Sequence, residues 1–159
     1  MNDNRFGSLE IEITGVSLFP SDTIASGTSL KVQIEFMSNT SIRSPIFVVS
    51  ITREDGTVCL DTNTESAMLH VPAITGAGKM YFSIDRLELS AGNYFVDVGI
   101  YESSWSYAYD YHWHAYRLTI NGAPSHLGML APPCHWQLAP SRQPTSATCQ
   151  PTQSVRERV

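Results

Sequence analysis

Residues 29–36, SLKVQIEF, alternate strictly between polar and apolar side chains. Because successive side chains of an extended strand point to opposite faces, this alternation predicts a strand with one face in a core and the other in water. A period of two recurs through most of the chain from Ser8 to Ile120, and no window of useful length shows the roughly 3.6-residue period of an amphipathic helix. The sequence therefore predicts an all-β domain.

The stretches on either side carry further signals. Residues 9, 11 and 13 are apolar on one parity and Val16 and Leu18 on the other, so we expect a β-bulge at Thr14–Gly15. Residues 46–51, IFVVSI, are apolar on both parities, which predicts an internal strand or one whose outer face is covered by a second surface.

The dipeptide Asp55–Gly56 is the strongest hairpin signal in the chain, because a type I′ turn needs positive φ at both central residues. It predicts a hairpin between a strand ending near Glu54 and a strand over residues 57–60. The small and polar residues 62–78 are then expected to form a long loop, with room for a short strand at residues 68–71.

Residues 89–94, LSAGNY, lead directly into an alternating stretch that ends at Ile100. A tyrosine that opens a strand just after such a turn resembles the tyrosine corner of Greek-key sandwiches. The last regular segment is expected over about residues 109–120. The proline-rich sequence beyond it is expected to hold at most one short strand, near residues 127–136, before a disordered tail.

Composition disfavours several classes of protein. The chain has 159 residues, 42% of them apolar, which is enough for one core and too apolar for a disordered chain. Only 16% are charged and the formal net charge is −5, so nucleic acid is not an expected partner. No stretch approaches the roughly 20 apolar residues of a membrane span, and the N-terminus carries no secretory signal. Cys59, Cys134 and Cys149 are widely spaced, as expected of reduced thiols in the cytoplasm.

Several motifs stand out by their order and spacing: residues 11–19, residues 26–30, the Asp55–Gly56 hairpin followed by residues 61–64, residues 89–94, and Gly128 with Trp136 eight residues later. Together they resemble the C-terminal domain of the Wzt family. Wzt is the nucleotide-binding subunit of the ABC transporters that export lipopolysaccharide O-antigen, and its C-terminal domain binds the finished glycan. The resemblance covers about residues 9–138.

This resemblance implies an antiparallel β-sandwich of immunoglobulin-like or jelly-roll type, in a homodimer that exchanges C-terminal strands between protomers. It places the domain in the cytoplasm at the inner face of the inner membrane, with the ATPase domain and the transmembrane subunit of the transporter as partners. The chain has no G-x-x-x-x-G-K-[ST] sequence, so we expect a separated C-terminal domain without ATPase activity. The expected division is a flexible N-terminus at 1–8, the carbohydrate-binding sandwich at 9–138 and a disordered tail at 139–159.

Aromatic residues are concentrated near the end of the regular sequence. Five of them recur at a period of two and would share one face of an extended strand: Trp105, Tyr107, Tyr109, Tyr111 and Trp113. Rings with a polar edge suit sugars, because the C–H faces of a sugar stack on them while its hydroxyls need hydrogen bonds. Such a stripe is also typical of a core or a dimer interface, so both interpretations stay open.

Asp110, His112 and His114 fall on the opposite parity, again on one face if the strand is regular. We expect His112 and His114 either to form hydrogen bonds with glycan hydroxyls or to be part of a polar surface. The alternative is a metal site like that of a cupin enzyme, but residues 115–118 lack the glutamate of the cupin pattern. No G-x-S-x-G motif exposes a serine nucleophile. We therefore expect no catalytic residue, cofactor or metal.

Together, the residues and the resemblance predict a protein that binds and does not catalyse. The expected ligand is the nonreducing end of a lipid-linked O-antigen polysaccharide, whose recognition would admit the right glycan to an export channel. Two alternatives remain, because the same sandwich serves immunoglobulin-like protein-interaction modules and cupin-like metalloenzymes. Exposure of the aromatic stripe distinguishes glycan binding from the first, and metal content distinguishes it from the second.

Overall fold

Nine strands and no helix make up the part of the chain that the computed structural model describes, residues 4–122, 128–132 and 137. The strands are β1 (Arg5–Phe6), β2 (Ile11–Phe19), β3 (Thr23–Ala25), β4 (Thr28–Ile42), β5 (Ile46–Arg53), β6 (Val58–Asn63), β7 (Ile74–Leu87), β8 (Gly92–Tyr101) and β9 (Ala108–Asn121). The all-β prediction is confirmed. The expected tail at 139–159, Cys134 and Trp136 lie outside the described residues.

The strands form two sheets. The larger sheet has the order β1-β9-β8-β5-β6, with β3 added in parallel beside β9, and the smaller sheet has the order β2-β4-β7. The other pairs are antiparallel. Apolar residues from both sheets meet in one core, so the fold is the expected antiparallel β-sandwich.

The core follows the alternation that the sequence shows. Leu30, Val32, Ile34 and Phe36 of β4 are at most 7% exposed, and burial of each such side chain contributes roughly 1.5–3 kcal/mol. The larger sheet supplies alternate residues of β5 and β8 to the same core, namely Phe47, Val49, Ile51, Val96, Val98 and Ile100.

Two predictions about strand pairing are confirmed, the bulge in β2 and the internal position of β5. The register between β2 and β4 shifts between Ile13 and Gly15, so apolar residues on both sides of the bulge face the core. β5 is hydrogen-bonded to β8 on one edge and to β6 on the other, and its residues 46–52 are all buried. It is therefore the internal strand that its continuous apolar pattern predicts.

The hairpin between β5 and β6 is present, but its turn differs from the predicted one. Gly56 has φ of +89°, whereas Asp55 is not among the residues with positive φ. Gly56 donates its N–H to the Arg53 carbonyl, and the Thr57 N–H is bound by the Asp55 carboxylate at 3.0 Å. A type I′ turn was the wrong expectation, because a connection of this length needs positive φ only at its glycine.

The expected loop at residues 62–78 is shorter than predicted, because β6 extends to Asn63 and β7 begins at Ile74. No strand occurs at residues 68–71. Gly78 serves packing within β7, since a side chain at this position would overlap the Phe36 ring on β4. Glycine was therefore a misleading loop signal here.

Tyr94 forms the predicted tyrosine corner. Its side chain is 1% exposed, and its hydroxyl donates to the Ser90 carbonyl at 2.8 Å. The same turn holds the described part of the C-terminal segment, because Ser90 N–H donates to the Met129 carbonyl and Leu130 forms an isolated bridge with Leu89. The rest of the strand expected near residues 127–136 lies outside the described residues.

Candidate functional site

β9 does not keep the five predicted aromatic residues on one face. Ile100 of β8 pairs with Asp110, but Tyr101 pairs with Ala108, so β9 has one extra residue at this point. The extra residue, Tyr109, is 6% exposed and lies in the core. The prediction of one continuous aromatic face was wrong, because a β-bulge reverses the parity of the strand there.

An open groove of about 410 Å³ lies on the outer face of the larger sheet, on the side away from the core. Three residues of the predicted stripe line it, Trp105, Tyr111 and Trp113, and Tyr101 lies beside them. The groove also contains polar residues from β5, β6, β8 and β9: Ser50, Thr52, Asp61, Asn63, Asp97 and His114. Aromatic rings and hydrogen-bonding groups therefore share one concave surface.

Trp105 is fixed although it lies outside a strand. It has φ of +62° in the connection between β8 and β9, and its indole Nε1–H donates to Glu65 Oε2 at 2.7 Å. Its ring centroid is 5.2 Å from that of Tyr101. Because a neighbouring loop holds the indole and a ring supports it, little side-chain freedom is left to lose on binding.

The Tyr111 ring lies flat across the sheet. A side chain at Gly99, its partner on β8, would overlap the ring, so the glycine makes this position possible. Tyr101 packs against Tyr111 in an edge-to-face arrangement with centroids 6.0 Å apart. These contacts give the groove a rigid aromatic wall.

A second bulge in β9 brings His114 to the groove. Residues 113–115 oppose the single residue Asp97, and His114 has φ of +49°. Its ring stacks between Trp113 and Phe95, with centroid distances of 4.2 Å and 4.7 Å. The bulge separates His114 from His112 and Asp110, so the prediction that these three share one face was wrong.

Asp97 lies on the floor of the groove and is 2% exposed. Its carboxylate accepts hydrogen bonds from the His114 N–H and, at 3.3 Å, from the Thr52 hydroxyl. Burial raises the pKa of Asp97 above its ordinary value, and the two hydrogen bonds oppose that rise. Sequence reasoning missed this residue. A usable signal was present, because Asp97 alternates with the core residues Val96 and Val98 of β8 and must therefore face away from the core.

The family comparison covers the whole sandwich. Residues 2–131 match the model of the Wzt C-terminal domain. The chain belongs to the Wzt C-terminal domain family. The resemblance that the sequence motifs indicate is thereby confirmed.

A solved structure of the same family shares the fold. A crystal structure of the C-terminal domain of wzt matches with a TM-score of 0.74 at 14% identity, covering 85% of this chain and 87% of that one. The CARDB domain of a Pyrococcus furiosus protein, crystallised in complex with di-metal ions, matches at 10% identity over 70% of this chain and 94% of that one, with a TM-score of only 0.39. No curated protein matches the chain. Within the described residues, no helix has the length and apolarity to cross a membrane.

In this Wzt C-terminal domain, Tyr107 lies outside the groove. It is 42% exposed, and its hydroxyl donates to Glu10 Oε2 at 3.0 Å. That hydrogen bond raises the pKa of Tyr107 to about 12. Its ring meets Tyr109 edge to face, with centroids 5.3 Å apart. Through these contacts, Tyr107 and Tyr109 link the start of β9 to Glu10, the residue just before β2 of the smaller sheet.

His112 and Asp110 lie on the core side of β9 in a buried polar network. Asp110 accepts hydrogen bonds from Arg5 Nη2 and from the Ile13 N–H, both at 2.7 Å, and His112 Nδ1 is 2.6 Å from the Tyr116 hydroxyl. Burial alone would raise the pKa of Asp110, but the His112 ring 3.5 Å away and the hydrogen bonds from Arg5 and the Ile13 N–H outweigh burial and lower it. No group of three or more potential metal-ligating side chains occurs in the described ranges.

Arg5 belongs to β1, within the segment 1–8 that was expected to be flexible. β1 pairs with β9 through Arg5 with His112 and Phe6 with Tyr111, and the Phe6 and Tyr111 rings stack at 5.1 Å. The N-terminal strand therefore fastens the strand that carries Tyr111 and Trp113 of the groove.

Proposed function

We propose that this Wzt C-terminal domain is the glycan-recognising part of an O-antigen ABC transporter and that it binds polysaccharide without altering it. The groove on the larger sheet carries this proposal. Its two tryptophans remain 41% and 51% exposed, at Trp105 and Trp113, and neither belongs to the hydrophobic core. Large exposed rings held in fixed positions are typical of a binding surface.

The chemistry of the groove suits a sugar chain. Apolar C–H faces of pyranose rings can stack on Trp105, Tyr111 and Trp113, and the polar groups of Asp97 and Asn63 can bind the hydroxyls. The groove is open along the sheet, so a polymer can lie across it. The proposed ligand is the nonreducing end of a lipid-linked O-antigen polysaccharide. The proposed place is the cytoplasmic face of the inner membrane, beside the ATPase domain and the transmembrane subunit.

We also propose that the domain is a homodimer with exchanged C-terminal strands. Within the described residues, β6 and β7 are each paired on one edge only. Between them lies an apolar hollow of about 440 Å³, lined in part by Leu60, Phe82 and Leu130, and Leu130 is 69% exposed. The C-terminal strand of a second copy would cover this surface and hydrogen-bond to a free edge.

Titration of the chain with purified O-polysaccharides tests the glycan proposal. Trp113→Ala should weaken binding by about 5- to 150-fold, if ring stacking on a sugar contributes the roughly 1–3 kcal/mol that it does on a nucleic-acid base. Tyr81→Ala is the matched control, because Tyr81 is 55% exposed on the smaller sheet. Both variants should keep the parent melting temperature. Equal affinities for the parent and Trp113→Ala would refute the proposed site, and absence of binding to every polysaccharide would refute the proposed function.

A further inference from the structure

The groove is lined by acidic side chains and by no lysine or arginine among the residues that the structure describes. Asp61 of β6 pairs with Ser50 of β5, and Ser50 pairs with Asp97 of β8, so two carboxylates lie in one row across the groove floor. Arg117 on the same strand as Trp113 packs over the Phe95 ring instead of lining the groove, at 5.9 Å from the ring centroid.

Neither carboxylate is neutralised by an ion pair within the described residues. Asp97 accepts its hydrogen bonds from uncharged donors, the His114 N–H and the Thr52 hydroxyl. A Glu65 carboxylate holds the Trp105 indole at the rim and adds a third negative group. An anionic ligand would therefore meet like charge in a partly desolvated site, which is among the strongest ways to reject a ligand.

The same carboxylates favour uncharged and cationic sugars. A carboxylate is an acceptor only, so it binds sugar hydroxyls or ammonium groups that donate to it, and such charge-assisted hydrogen bonds are stronger than neutral ones. From the row of Asp61 and Asp97 under an aromatic wall, we infer that the groove selects neutral or amino-sugar glycans and rejects uronic acid or phosphate-bearing residues. This inference rests on the proposed glycan site and specifies its substrate class.

A matched pair of probes tests it. A neutral O-polysaccharide that binds the chain is compared with the same polysaccharide after oxidation of its primary hydroxyls to carboxylates. The oxidised form should bind at least about ten-fold more weakly at low salt. This gap in affinity between the two forms should narrow toward 1 M salt, because salt screens charge repulsion and does not change a steric clash. Asp61→Asn should narrow the gap as well, whereas Asp85→Asn, an equal charge change at an exposed position of β7 in the other sheet, should not.

The outcomes separate the two proposals. Equal or tighter binding of the oxidised polysaccharide, or a screen in which only acidic polysaccharides bind, overturns the charge selection and leaves glycan binding intact. A gap that neither salt nor Asp61→Asn changes also overturns it, because the rejection is then steric. If no polysaccharide of any class binds, the proposed function itself fails. Asp61 is exposed, so its substitution leaves the core unchanged and the comparison is made on a folded protein.

Discussion

Replacing Arg5 by Met should destabilise the domain far more than an exposed ion pair would suggest. Arg5 binds Asp110 through Nε at 2.9 Å and through Nη2 at 2.7 Å, and the Asp110 side chain is fully buried. Removing one partner of a buried pair leaves a charge without compensation, at a typical cost of about 3–5 kcal/mol. The Arg5 side chain is 30% exposed, so water can reach the vacated position. We therefore expect a loss of about 3 kcal/mol, at the low end of that range.

The loss should depend on pH in a defined direction. In the parent, the folded-state pKa of Asp110 is below its ordinary value of 3.8, so its contribution is present above that pH and is lost as pH falls through the folded pKa. In Arg5→Met the buried carboxylate loses its guanidinium partner, so its pKa rises and the variant is penalised as pH increases. The difference in unfolding free energy between the two proteins should be full at pH 7 and shrink toward pH 3.

Urea unfolding followed by tryptophan fluorescence at several pH values measures this difference. At pH 7 the midpoint of Arg5→Met should fall by about 1–3 M, given typical slopes of roughly 1–3 kcal/mol per molar urea. Glu12→Gln removes the other partner of Arg5, which is 48% exposed and 3.1 Å away, and should cost less than about 1 kcal/mol. The reasoning is refuted if the two variants are equally stable, or if the deficit of Arg5→Met does not shrink in acid.

Three further predictions concern single features of the sandwich. Tyr94→Phe should cost about 1 kcal/mol in chemical unfolding, because the Ser90 carbonyl loses its hydroxyl donor, and an unchanged midpoint would argue against the tyrosine corner. Tyr109→Ala should cost about 3–5 kcal/mol in stability, like other buried aromatic truncations, so a fully stable variant that has lost glycan affinity would contradict its placement in the core. In sedimentation the intact chain should be a dimer at micromolar concentration, and deletion from Gly128 should weaken it; a monomeric intact chain would contradict the proposed strand exchange.

Local sequence predicts those features of the fold that depend on residues close together in the chain. The alternation at residues 29–36 gives the core face of β4, and the change of parity at Thr14–Gly15 gives the bulge in β2. The turn before Tyr94 gives the tyrosine corner. In each case the deciding residues are neighbours in the chain. Gly78 was misread because its reason, the Phe36 ring, lies on another strand.

The composition of the candidate site depends on two irregularities that the sequence does not mark. Without the bulge at Tyr109, that ring would oppose Tyr101 and join the outer face, and the stripe would be nearly continuous. Without the bulge at residues 113–115, His114 would pair with Val96 and point into the core. The first bulge removes an aromatic ring from the outer face, and the second adds a histidine that holds Asp97 through its backbone. Both are set by pairing with β8, because only the partner strand determines which residue of β9 is extra. The presence of aromatic residues near the groove was therefore readable from residues 105–113, whereas the choice of rings that line it, its carboxylate floor and its charge became apparent only once β8 was in register.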